Sequence, residues 1–213
     1  MISKNKMIAY LLIASLLGIT AGYLFSAKFC TVSISNRVEN KLNLNQITRA
    51  LFAKQVLLTF EYLRSLIFNI SDTSISKELK TNKEAIVHLI NSYYGKIPAE
   101  KLNILLDQKN SLLCSLIANK DPVLENKINT QWNRNTKELQ EWFMQLNTTQ
   151  PSDSMLTTST VDLQNTLLLQ AKKALQEKNW DLVWQLFEKQ FENAMQLADE
   201  INHGIIKQFP GKF

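Results

Sequence analysis

The 213-residue sequence predicts an all-α protein: a helical bundle of about six helices with a degenerate internal duplication, preceded by an N-terminal transmembrane helix. Three observations carry this prediction. Glycine and proline are scarce, at 5 and 4 residues. Gly18 and Gly22 fall in an apolar N-terminal stretch, so only Gly95, Gly204 and Gly211 serve the remainder, too few for turn-dense β architectures or Gly-rich phosphate loops. Beyond residue 46, apolar residues recur at helical spacing. Met7 to Phe25 is a run of 19 residues without a charge. Hydrophobic residues at 45% against 20% charged exclude a disordered chain. Two cysteines exclude a disulfide-dense scaffold and a four-cysteine zinc site.

Taken in order, the first element is the apolar run. As a helix it spans about 28 Å, close to a bilayer's hydrocarbon core. Tyr10 and Tyr23 lie near its ends, where aromatic rings favour the membrane interface. Its length favours an uncleaved signal anchor over residues 1–28. The alternative is a signal peptide cut after Thr20-Ala21-Gly22. Lys4 and Lys6 before the run outnumber Lys28 after it, which favours a cytoplasmic N-terminus and the rest of the chain outside the bacterial inner membrane, in the periplasm or beyond. Of the formal charge of +5, those three lysines account for three units. The +2 left on residues 29–213 is no basic face for nucleic acid.

Residues 29–45 are polar and rich in Ser and Asn, a linker to the bundle domain at 46–213. Ile47 to Ile70 is apolar almost all round and predicts a central, buried helix. Asn82 caps a short helix whose inward stripe is Ile86, Leu89, Ile90 and Tyr93; Thr81 with Glu84 offers a capping box one residue earlier. Gly95 stops it. Pro98 opens a helix to about Ala118, and Asp121-Pro122 restarts the chain as a cap followed by a first-turn proline. A short helix runs to about Asn133. Asn135 with Glu138 caps another, striped by Leu139, Trp142, Phe143 and Leu146. Asn147 to Thr158, built of Thr, Ser, Asp, Gln and Pro, reads as a long loop. Two long helices follow, at 159–177 and 180–207, the second capped by Asn179.

The duplication rests on spacing. Asn82, Ile86, Leu89, Ile90, Tyr93 and Pro98 recur 53 residues later as Asn135, Leu139, Trp142, Phe143, Leu146 and Pro151. Ile75 and Leu79 map likewise onto Ile128 and Trp132. Two copies are too few for a solenoid, so one shared core is expected.

Candidate chemistry is sparse. Glu84–His88 and Asp199–His203 are i,i+4 pairs on a helix face, without the Glu-x-x-His spacing of a di-metal bundle, so surface pairing is expected and no metal or cofactor site. Cys114, within Leu112–Ile117, reads as a small core residue; pairing with Cys30 is the alternative outside the cytoplasm. Gln55 and Thr59 lie one turn apart on the apolar helix. They are either a hydrogen-bonded pair that fixes register or the polar wall of a small cavity. Trp132, Trp142, Trp180 and Trp184, with Tyr93 and Tyr94, read as core or interface aromatics, with an aromatic ligand box as the alternative. Arg49, Lys54 and Arg64 read as solvated edges. The residues singled out for a ligand are Gln55, Thr59, Trp132 and Gln208.

Three blocks carry a resemblance. Asn82 through Tyr93-Tyr94-Gly95 resembles an "N-P-A-D-I … F-Y-G" block, and Trp132-Asn133-Arg134-Asn135 a "W-Y-A-N" block. Leu197-Ala198-Asp199 with Gly204-Ile205-Ile206-Lys207-Gln208-Phe209-Pro210-Gly211-Lys212-Phe213 resembles a closing "M-A-D … G-I-V-R-Q-F-P-x-K-F". The chain from about residue 46 to 213 thus resembles an uncharacterised bacterial family of all-helical proteins sometimes mislabelled acetylglutamate kinase. The resemblance implies no activity, and an amino-acid kinase needs Gly-rich phosphate loops that this sequence lacks. Where the family carries "H-V-x-W-T-R" this chain has Gln55-Val56-Leu57-Leu58-Thr59-Phe60, and the histidine of "L-L-x-x-H" falls on Lys109. A third family histidine falls within 155–170, where this chain has none.

The anchor and the lack of a catalytic constellation point to a non-enzymatic binding or scaffolding module of the envelope, with an envelope protein or a second copy as partner. The alternative is a small-ligand sensor or carrier with its cavity near Gln55 and Thr59. A third reading is an enzyme with its site near Asp199, His203 and Gln208.

Overall fold

A computed structural model describes residues 37–70, 73–119, 121–146 and 151–213, apart from the side chains of 37–38 and 151–158. The apolar run 7–25, Cys30 and residues 147–150 lie outside the described residues. The described chain is all-α, with six helices: α1 (Arg37–Ile67), α2 (Thr73–Tyr94), α3 (Lys96–Ala118), α4 (Pro122–Leu146), α5 (Pro151–Gln176) and α6 (Trp180–Gln208). A short 3-10 turn, Pro210–Lys212, follows. Among these, no helix is long and apolar enough to cross a membrane.

Local signals fix most of the helix ends. Gly95, at φ 85°, ends α2 in a left-handed conformation and donates its N–H to Asn91 O at 3.1 Å. Asp121 Oδ1 accepts from Val123 N at 2.9 Å and Asn179 Oδ1 from Leu182 N at 3.2 Å, so both predicted caps are in place. The ends of α1 and α5 use Asn69 (φ 52°) and Lys178 (φ 54°). There Ile70 N bonds back to Ser65 O and Asn179 N to Ala174 O.

Each helix packs on its sequence neighbours, and α6 packs on α1, so the six close into a ring. Neighbours run antiparallel: along α1 and α6, Arg49 meets Asp199 at one end and Phe68 stacks on Trp180 at the other. The helix from Ile47 packs on both ring neighbours and also touches α3 and α5. It is one wall of the ring, starts earlier at Arg37, and buries a stripe of Leu44, Thr48, Phe52, Val56, Phe60 and Leu63.

Three expectations need correction. Asn82 and Asn135 are not caps. Both sit mid-helix, 2% and 4% exposed, because α2 begins at Thr73 and α4 runs unbroken from Pro122 through Asn135. Thr81 Oγ1 bonds to Lys77 O inside α2 rather than closing a capping box. The long loop is also shorter, since α5 starts at Pro151, where a proline loses nothing by lacking its N–H.

What the asparagines do instead reveals the repeat. Asn82 Nδ2 donates to Leu51 O at 3.0 Å, crossing from α2 to α1. Asn135 Nδ2 donates to Leu105 O at 3.0 Å, from α4 to α3. Asn193 Nδ2 donates to Thr160 O at 2.8 Å, from α6 to α5. The duplication is thus a triplication of helical hairpins, the third asparagine following the second by 58 residues instead of 53. Four and eight residues after each asparagine stand Ile86 and Ile90, Leu139 and Phe143, Leu197 and Ile201, all buried. These bonds fix hairpin register where apolar packing alone allows sliding.

The segment after α6 is tied to the end of α2. Phe213 stacks on Tyr93, Phe209 packs edge-on to Tyr94, and Lys212 Nζ bonds to Ser92 O at 2.8 Å.

Candidate functional site

A ring of six helices has an axis that small side chains cannot fill. In this bundle a cavity of about 100 Å³ lies on it, and all six helices contribute to its wall. Gln55 and Thr59 come from α1, Lys83 from α2, Lys109 and Asn110 from α3, Gln164 from α5 and Gln190 from α6. α4 contributes only apolar groups, Leu139, Trp142 and Phe143.

The repeat sets which residues face the axis. One turn after each carbonyl that accepts from a hairpin asparagine stand Gln55, Lys109 and Gln164. Gln55 is held at both ends: its Oε1 accepts from Asn82 Nδ2 at 3.0 Å and its Nε2 donates to Thr59 Oγ1 at 3.4 Å. Gln55 and Thr59 thus form a hydrogen-bonded pair, and both line the cavity.

Of the wall groups without a polar partner, two stand out. Gln190 is 2% exposed, and its Nε2 has no hydrogen-bond acceptor. An amide buried this way costs about 1–3 kcal/mol. Lys109 is the other. Half-buried, it lines the cavity with its ammonium 5.5 Å from the centre of the Trp132 ring. Burial alone pulls its pKa from 10.5 down to about 8. The two buried lysines are neutralised: Lys83 Nζ meets Asp107 Oδ1 at 2.6 Å and Lys172 Nζ meets Glu125 Oε1 at 3.4 Å. Among the described residues Lys109 has no carboxylate partner. The cavity can therefore offer a ligand one cation and several amide groups within an apolar frame.

Of the residues singled out in the sequence, Gln55 and Thr59 line the cavity and Trp132 sits beneath Lys109, itself 2% exposed. Gln208 stands apart, because its Nε2 donates to Leu146 O and so ties the end of α6 to the end of α4. Lys109, Gln164 and Gln190 were missed as cavity-lining groups. The available signal was Leu102, Leu106, Lys109 and Leu113, a helical apolar stripe interrupted by one charge.

The remaining candidates do not assemble. Asp199 pairs with Arg49 at 2.9 Å beside a shallow surface hollow that includes exposed His203, while Gln208 is occupied elsewhere. His88 is exposed. Among the described residues no three His, Cys, Asp or Glu groups gather for a metal. Cys114 is only half-buried rather than a core residue, its Sγ 3.0 Å from Tyr62 Oη. Trp132 and Trp142 are core, but Trp180 and Trp184 are 42% and 53% exposed. Arg49, Lys54 and Arg64 are edges as expected, paired with Asp199, Glu78 and Glu61.

Comparison of the chain with protein-family models, curated proteins and solved structures gives no match.

Proposed function

We propose that the bundle is a small-ligand carrier or sensor, tethered to a bacterial inner membrane by the Met7–Phe25 segment and facing the periplasm or exterior. One observation carries the ligand reading: the buried amide nitrogen of Gln190, without an acceptor, at the wall of an interior cavity. The tether rests on the uncharged run and on Lys4 and Lys6 ahead of it.

The size of the cavity limits the ligand. A cavity of about 150 Å³ accepts benzene, so one of about 100 Å³ suits roughly four heavy atoms. The test is methyl NMR of the full chain in detergent micelles, screened against xenon and small polar molecules. Saturable shifts of the Ile86, Val161 and Leu197 methyls are expected. A panel in which even xenon moves none of them removes the reading. A phosphatase fused after Phe213, active only outside the cytoplasm, tests the orientation.

A second reading, a docking module for an envelope protein, draws on the exposed aromatic stripe of α6, where Trp184 is 53% and Phe191 39% exposed. If it holds, Trp184→Ser together with Phe191→Ser loses a partner that the unaltered chain captures from envelope extracts.

A further inference from the structure

Resting on the small-ligand reading above, we propose that the ligand is a small, singly charged carboxylate of about four heavy atoms, its charge met by Lys109 and an oxygen by the amide of Gln190. Three observations converge on this chemistry. Among the described residues the wall holds two lysines, Lys83 and Lys109, and no Asp or Glu. Lys83 is already neutralised by Asp107, so one net positive charge faces the cavity. Gln190 Nε2 is a buried donor without an acceptor, and a carboxylate offers only acceptors.

The electrostatics give the same sign. An ammonium in the interior without a counter-ion is costly, and an anion beside it recovers much of that cost. Neutral ligands of the same shape leave the cost in place, and cations add to it. The apolar part of the wall, Leu139, Phe143 and Val161 among it, suits a methyl or methylene group opposite the carboxylate. Of the other charged groups near Lys109, Lys83 comes from α2 and Asp107 from its own helix. Among the described residues no titratable side chain from α1, α4, α5 or α6 reaches the wall. Because burial brings Lys109 to about 8, it is mostly protonated at pH 7 and ready for an anion.

The test titrates the full chain in detergent micelles with sodium acetate, its neutral isostere acetamide, and xenon. Ionic strength is held constant with sodium chloride, and the methyls of Ile86, Val161 and Leu197 are followed by NMR. Acetate is expected to shift them saturably, with acetamide at least tenfold weaker. Lys109→Met, which keeps the bulk of the side chain, is expected to lower acetate affinity at least tenfold while leaving the methyl spectrum of a folded bundle. Gln190→Leu is expected to lower it severalfold. Acetamide binding as tightly as acetate overturns the inference and leaves the small-ligand reading standing, as does xenon entry without acetate binding. Unchanged acetate affinity in K109M also overturns it. Failure of acetate, acetamide and xenon together removes both.

Discussion

In the hairpins α1–α2 and α3–α4, the residue three before the bridging asparagine is apolar, Leu79 in one and Trp132 in the other. In α5–α6 the same position is Gln190, equally buried at 2% exposed and without an acceptor for its Nε2. A parallel departure occurs in the first helix of each hairpin, where Gln55 and Gln164 frame Lys109. Shared positions line the axis in all three hairpins, and the departures among them, Lys109 between two glutamines and Gln190 in place of Leu79 and Trp132, set its charge and its unpaired donor. Repeats of one design thus separate two jobs: the bridging asparagines hold register, and the departures from the pattern give the cavity its charge and its unpaired donor.

Five substitutions test that division, beginning with the largest effect. Trp142→Ala removes a buried indole whose Nε1 bonds to Pro98 O at 2.9 Å, and is expected to cost about 3–5 kcal/mol in denaturant unfolding. Lys109→Met is expected to stabilise at pH 7, on the order of 3 kcal/mol, because it removes an unpaired interior ammonium. The sign can be checked by pH. With a folded pKa near 8 below the unfolded value, the folded state sheds its proton first. Stability of the unaltered protein should therefore rise between about pH 8 and 10, and that rise should vanish in K109M. Above pH 10 the trend reverses, since Tyr62 and Tyr94, pushed up to about 12, keep their protons longer when folded.

Asn135→Ala, in the shared set, is expected to cost about 1–3 kcal/mol by unfolding. Gln190→Leu, in the odd set, should leave stability unchanged or raise it by about 1 kcal/mol, because it removes a buried donor that lacks an acceptor. Equal losses in these two variants would erase the distinction between the sets. Arg49→Ala breaks a half-exposed pair with Asp199 and is expected to cost under about 1 kcal/mol, less at high salt.

The sequence made helix ends legible wherever the signal was local. Gly95, Asp121-Pro122 and Asn179 act on their own turn, and each stands as read. Asn82 and Asn135 were misread because an asparagine ahead of an apolar stripe looks like a cap. Their partners, Leu51 O and Leu105 O, lie about thirty residues away and no local pattern announces them. The third hairpin was hidden by its 58-residue offset and by Glu200, which occupies the place of Leu89 and Trp142. The 151–158 stretch looked like loop because Ser and Thr are weak helix formers, although Pro151 was a start signal in plain view. At the site, Gln55 and Thr59 were visible as polar residues on an apolar face. Gln190 was not, since α6 also bears polar residues outward, and only ring closure turns that position inward.

Ring closure also sets an order of events. Each hairpin joins residues about thirty apart, while the seam between α1 and α6 joins Arg49 to Asp199 across 150 positions. Short-range pairing carries little entropic cost and long-range pairing a larger one, so hairpins form early and the seam forms last. A chain leaving a ribosome or translocation pore has its first four helices ready to pair while Phe60 still awaits Phe187 of α6. Until then the axis is an open trough rather than an enclosed chamber. A ligand that needs the complete wall would therefore bind only finished molecules and, by holding the seam shut, slow their unfolding.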